Sequence, residues 1–107
     1  DESETIRLLF QSFRALLKPA IPNRLVRRIF ELRLMVIQGE YREAPDRKIS
    51  DSALYAWQFV ISTPIEKLYT FLLTEPVFEE FARCVEDNKR RYVDREFRSL
   101  EILRVVT

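Results

Sequence analysis

The residues best able to do chemistry in this sequence are arginines, and they come in two clusters. Arg24, Arg27 and Arg28 fall in the first turns of one expected helix, with Arg33 further along it. Spacings of three and four put Arg24 on the same side as Arg27 and Arg28, so the trio forms one patch. Three cations at the positive end of a helix dipole repel one another and oppose the dipole. Such an arrangement calls for anions, and two kinds of source fit: phosphate or a carboxylate-bearing peptide from outside, or acids of the chain itself such as Glu31. The second cluster is Lys89-Arg90-Arg91, continuing to Arg95 and Arg98. Arg91, Arg95 and Arg98 share a helix face beside Tyr92. Asp87, Asp94 and Glu96 interleave with them, which weakens a reading as a pure phosphate track. Basic residues late in a helix also suit its negative C-terminal end.

Catalytic chemistry finds little to work with. The chain has 107 residues and no histidine, which removes the commonest general base and the commonest metal ligand together. Its single cysteine, Cys84, has no base to activate it and reads as an inert, partly buried thiol. Glu79/Glu80 and Glu86/Asp87 are sequence neighbours, so on a helix they diverge by about 100° and do not form an acid/base pair. No glycine-rich phosphate loop is present. The expectation is a non-enzyme without metal or cofactor.

Gly39 is the sole glycine, and hydrophobic residues make up 47%. That balance disfavours a β-fold built on tight glycine turns and favours helices, which need glycine only at their ends. The fold class expected is all-α, a compact bundle of about five helices in a single domain. Formal charge is +1, so no whole-molecule field draws in nucleic acid. No apolar run reaches the roughly 18–20 residues of a membrane span, and the expected setting is the cytoplasm. The chain opens on Asp1 directly into helical patterning, which reads as a fragment of a longer protein.

The elements follow from periodicity and punctuation. A first helix from about Glu2 to Lys18, with Ser3 as cap, carries Ile6, Leu9, Phe10, Phe13, Leu16 and Leu17 as a stripe suited to burial. Pro19 ends it. A second helix, from about Asn23 to Gln38, has apolar positions around most of its circumference and should be central; Gly39 then supplies a left-handed C-terminal residue. A polar loop follows, from Glu40 to Lys48. A third helix starts near Ser50, with Leu54, Trp57, Val60 and Ile61 on its core face. Among its aromatics Tyr55, Trp57 and Phe59, a core role outweighs base stacking. Thr63-Pro64-Ile65-Glu66 reads as a capping box that opens a short fourth helix ending near Leu72. Thr74-Glu75-Pro76 opens the longest, to about Phe97. The last ten residues end in β-branched positions that leave helix and extended tail both open.

Two stretches stand out in order along the chain. One is Arg28-Ile29-Phe30-Glu31-Leu32-Arg33-Leu34, with a glycine soon after. The other joins Ala53-Leu54-Tyr55-Ala56-Trp57-Gln58-Phe59-Val60-Ile61, Pro64-Ile65-Glu66-Lys67-Leu68 and Phe71-Leu72-Leu73-Thr74-Glu75. A basic helix and Arg98-Ser99-Leu100-Glu101 complete it. In this order they resemble the RecO family of bacterial recombination mediators. Two family features are missing: an N-terminal OB-fold domain, and a four-cysteine zinc module where Glu40 to Lys48 lies here. The resemblance implies an adaptor that binds single- and double-stranded DNA and, with RecR, helps load RecA onto DNA coated by single-strand-binding protein. It also implies a helical-domain pocket for that protein's acidic, Phe-terminated tail, with Arg28 carried over from the motif. Arg24, Arg27, Arg91 and Arg95 are partner or DNA candidates on charge placement alone. The rival expectation is a structural scaffold or protein-interaction domain without direct DNA contact, recognisable by an exposed apolar patch.

Overall fold

The computed structural model describes residues 2–92, and these are helical with no strand among them. Four α-helices form: α1 (Glu2–Leu16), α2 (Asn23–Ile37), α3 (Asp51–Ser62) and α4 (Glu75–Arg91). The expected fourth of five helices is reduced to a single 3₁₀ turn, Ile65–Lys67. Its capping box does not form. Thr63 instead closes α3, donating its N–H to Phe59 O at 2.9 Å. The Glu66 carboxylate turns away to Arg7 on α1, at 2.8–3.0 Å. With both capping groups engaged elsewhere, nothing local propagates the turn into a helix. The stretch beyond Tyr92, including the expected continuation of the last helix to Phe97 and the closing segment, lies outside the described residues.

Helix α2 is central, as its all-round apolar pattern requires: it packs against α1, α3 and α4, while α3 also packs on α4. Phe30, Ile29, Leu32, Met35 and Val26 are fully buried around it. Trp57 from α3, Phe81 from α4 and Leu8 from α1 close the same core. Trp57 is therefore a core residue, and its indole N–H reaches Arg42 O in the loop at 2.9 Å. Tyr55 departs from the expected grouping and stays 70% exposed.

Helix termini explain the connections. Ahead of α2, Pro22 stands at the N-cap: Leu25 N and Val26 N both donate to Pro22 O at 3.0 and 3.1 Å. At its far end Gly39 adopts φ +76°. Gly39 N donates to Val36 O at 2.9 Å and Glu40 N to Met35 O at 2.8 Å, the paired bonds of a Schellman closure. Ser50 caps α3 by accepting from Ala53 N at 3.2 Å, and its own hydroxyl donates to Glu80 on α4 at 2.6 Å. The 40–48 loop is held against α4 by three links: Asn88 to Glu40 O, Arg47 to Asp87, and Arg91 to Asp46.

One expectation about packing is overturned. The first-helix stripe of Ile6, Phe10, Phe13 and Leu17 is exposed at 66, 60, 39 and 85%. Among the described residues, helix α1 meets only α2 and the 3₁₀ turn. It does so through Leu8, Ser12 and Ala15 on its other side, with Leu9 and Leu16 half-buried between the two faces.

Gly39 has open space where a Cβ would stand, so its conformation alone makes it costly to replace. Gly39→Ala should lose about 1 kcal/mol of stability and Gly39→Asn distinctly less, measured by urea unfolding.

Candidate functional site

The first arginine cluster is built around a buried carboxylate. Glu31 on α2 is 0% exposed. Its Oε1 accepts from Arg28 Nη1 at 2.9 Å, and its Oε2 from Arg27 Nε at 3.2 Å and Lys89 Nζ at 2.9 Å. Arg28 Nη1 also donates to Glu86 Oε1 on α4 at 2.8 Å. Three cations and two carboxylates thus form one α2–α4 network, and the second cluster contributes Lys89 to it. Burial works against the charged form of Glu86. The Arg28 hydrogen bond and the nearby charges of Lys89 and Arg28 outweigh it, and the carboxyl sits below its ordinary value of 4.5. Arg24 stands apart and exposed, paired with Glu75 at 2.5–2.8 Å and placed 4.6 Å over the Phe78 ring.

Arg33 closes another helix. Its Nη1 donates to Val60 O and Thr63 O at 2.8 and 2.6 Å, setting a cation against the negative C-terminal end of α3. Burial pulls its pKa down, and its Nε is buried without a hydrogen-bond partner among the described residues. Cys84 is buried, and desolvation pushes its thiol up to about 11, which leaves it protonated and unreactive at neutral pH. Three of the four acids that spacing excludes as an acid/base pair have structural partners: Glu80 holds Ser50, Glu86 holds Arg28, and Asp87 holds Arg47.

Arg91 pairs with Asp46 of the loop. Arg95 lies outside the described residues. The candidates Arg24, Arg27 and Arg28 are brought together with acids of the chain, and Arg91 lies apart at the far end of α4.

Arg14 on α1 and Lys18 just past its end belong to neither arginine cluster and have no ion pair among the described residues. They flank a cleft of about 270 Å³ between the end of α1 and the 3₁₀ turn, floored by Ala15, Ile21 and Tyr69. The Tyr69 hydroxyl and Ser12 Oγ lie 2.5 Å apart; Ser12 donates to Leu8 O, so Tyr69 is the donor of that pair. Burial pushes the Tyr69 phenol up, and the ring is fixed as a neutral wall. Glu66 sits at the edge with its charge matched by Arg7, whose hydrogen bond holds the carboxyl below 4.5. A second, wider groove of about 590 Å³ runs beside α3, walled by Tyr55, Phe59, Phe71, Leu72 and Leu73, with Asp51 at one end. Phe59 and Phe71 meet edge-to-face at 5.2 Å. Arg28 is in the wall of neither. The sequence signal for the α1 cleft was slight: two cations four apart just ahead of Pro19, with no acid in that turn.

Comparison with protein-family models, curated proteins and solved structures returns no match. Among the described residues no helix is long and apolar enough to cross a membrane, and no group of acidic or sulfur side chains is placed to hold a metal.

Removing the central carboxylate leaves three partly buried cations facing one another. Glu31→Ala should cost about 3 kcal/mol or more, measured by urea unfolding. Glu86 has a second consequence. The folded chain binds its proton less readily than the unfolded chain does. Its stabilisation is therefore complete above pH 4.5 and drains away as pH falls through the depressed folded value. Glu86→Gln should flatten the acid limb of the stability–pH curve below about pH 4.5 and leave its shape near neutrality unchanged.

Proposed function

We propose that this chain is the helical domain of a RecO-like recombination mediator, and that it acts chiefly by docking protein partners. The observation that carries this reading is the α1 cleft. A pocket for an acidic, Phe-terminated tail needs an apolar hole for the ring and cations for the carboxylates. The cleft, about 270 Å³ and open to solvent, offers Ala15, Ile21 and Tyr69 to a phenyl ring within a lining that is otherwise polar and basic. Arg14 and Lys18 supply charge that no acid among the described residues pairs with. Arg28, the residue carried over from the family motif, spends its guanidinium on Glu31 and Glu86, and in this chain its role is to hold α2 to α4. The tail of single-strand-binding protein is thus assigned to the α1 cleft. The apolar groove beside Tyr55 and Leu72 supplies the kind of surface a RecR contact would use. Contacts to single- and double-stranded DNA, in support of strand annealing and RecA loading, fall to Arg91 at the end of α4, together with Arg95, which lies outside the described residues. Arg90, exposed and without an ion pair among the described residues, is the sequence neighbour of Arg91.

The scaffold reading, without direct DNA contact, also has a specific observation in its favour: the exposed α1 stripe is an apolar patch of the kind it expects.

Fluorescence anisotropy with a labelled acidic, Phe-terminated peptide tests the docking assignment. Binding at low salt is expected, weakened at least tenfold by Arg14→Glu or Lys18→Glu and little changed by Arg24→Gln. No binding at low salt, or equal binding by both α1 variants, contradicts it. DNA affinity should fall steeply with salt, and the slope should shrink when Arg91 and Arg95 are neutralised together; a scaffold shows no such dependence.

A further inference from the structure

Helix α1 carries apolar residues on two opposite sides, and the fold uses one. At about 100° per residue, Ile6, Phe10, Phe13 and Leu17 fall within an arc of about 60°, facing away from Leu8, Ser12 and Ala15. Their spacing of four, three and four is that of the alternating d and a positions of a heptad seam. The order of side chains has a further property. Read in either direction it is aliphatic, aromatic, aromatic, aliphatic, and the spacing is equally symmetric about a point between Gln11 and Ser12. A surface that matches itself on reversal is the requirement for an isologous two-fold contact.

We propose that the α1 stripe is a homodimer seam, on which a second copy of this chain packs its own α1 antiparallel. The two-fold axis passes between Gln11 and Ser12. Ile6 of each copy then meets the other's Leu17, and Phe10 meets Phe13, in stacked or edge-to-face aromatic contact. The dipoles of the two helices run opposite and offset each other. Charge fits the same arrangement. Arg7 and Arg14 flank the stripe on one side; Arg7 is already held by Glu66. Arg14 has only the Phe10 ring, at 5.7 Å, and no carboxylate among the described residues. The antiparallel register brings each Arg14 toward the other copy's Arg7–Glu66 pair, whose carboxylate is the anion it lacks. The four side chains are 39–85% exposed and would bury on the order of 400 Å² per copy, about half of the roughly 800 Å² per partner in a standard stable interface. The dimer is accordingly weak, with a dissociation constant on the order of 100 µM.

Sedimentation equilibrium of the full chain from a few micromolar to near-millimolar tests this. The average mass should rise from monomer toward dimer across that range. Phe10→Glu and Leu17→Glu should each weaken association at least tenfold, with helical content and melting temperature unchanged because neither side chain is in the core. Orientation is read by cysteine pairing under oxidation, with native Cys84 buried out of the way. Ile6→Cys mixed with Leu17→Cys should cross-link much faster than either variant alone. A strictly monomeric mass throughout overturns the proposal and leaves the stripe to a different partner, such as an adjoining domain. So does undiminished association of both charged variants, or self-linking of Ile6→Cys as fast as the mixed pair. Phe10 and Leu17 are not in the wall of the peptide cleft; the seam and the cleft share Arg14 and Glu66, so the dimer is assayed without peptide and its outcome is read apart from tail binding.

Discussion

The carboxylate of Glu31 is the point on which the arrangement turns. It is fully buried, and a buried charge is tolerated only where partners surround it. Arg27 and Arg28 reach it from one and almost one turn earlier on α2, and Lys89 reaches it from α4. Arg28 then extends the network to Glu86. Two helices that already share an apolar interface are thereby fixed in rotation and register. A slide of either by one turn would strand Glu31 without its cross-helix cation. The cost of three arginines at a helix start is met from inside the molecule.

That arrangement leaves the α2 arginines little free charge to offer a partner. Cations committed to a buried acid are poor ligands for a phosphate or peptide, because leaving would expose the acid to a desolvated site without compensation. What remains free lies at the edge of the fold. Helix α1 leans on the others by one face only, and its other resources stay available: Arg14 and Lys18 beside a cleft, and an apolar stripe around the corner from them. The wide groove along α3 is likewise an edge feature, left open because the chain from Leu68 to Thr74 runs on without forming the helix that would have packed there.

Much of this was legible in the sequence. The all-helical class followed from a single glycine and recurring three- and four-residue spacings. The centrality of α2 followed from apolar residues on all its sides, and Gly39 and Ser50 announced their helix ends. Other features depended on competition between partners, which spacing cannot show. The Thr63–Glu66 pattern is a sound capping box, yet α3 claimed Thr63 and Arg7 claimed Glu66, so the helix stopped at one turn. The α1 stripe was correctly seen as continuous, but Leu8, between Arg7 and Leu9, was the residue that turned inward. Periodicity identifies an apolar face without saying whether a neighbour exists to cover it. For the site, Glu31 was foreseen as one possible mate for the arginines. Lys89, from a segment 58 residues away, was assigned to the other cluster. Arg14 and Lys18 gave little sign, since only the fold brings Ile21 and Tyr69 alongside them.

The cations divide the labour: the α2 arginines are spent on holding α2 to α4, and we propose that the end of α1 receives the partner. Amide chemical-shift mapping of the full chain during titration with an acidic, Phe-terminated peptide addresses it most directly. The account predicts perturbations concentrated at Gln11, Ala15, Lys18, Tyr69 and Thr70, with the amides from Arg27 to Glu31 undisturbed. Perturbations centred on Arg28 and Glu31, with the α1 cleft silent, would contradict it.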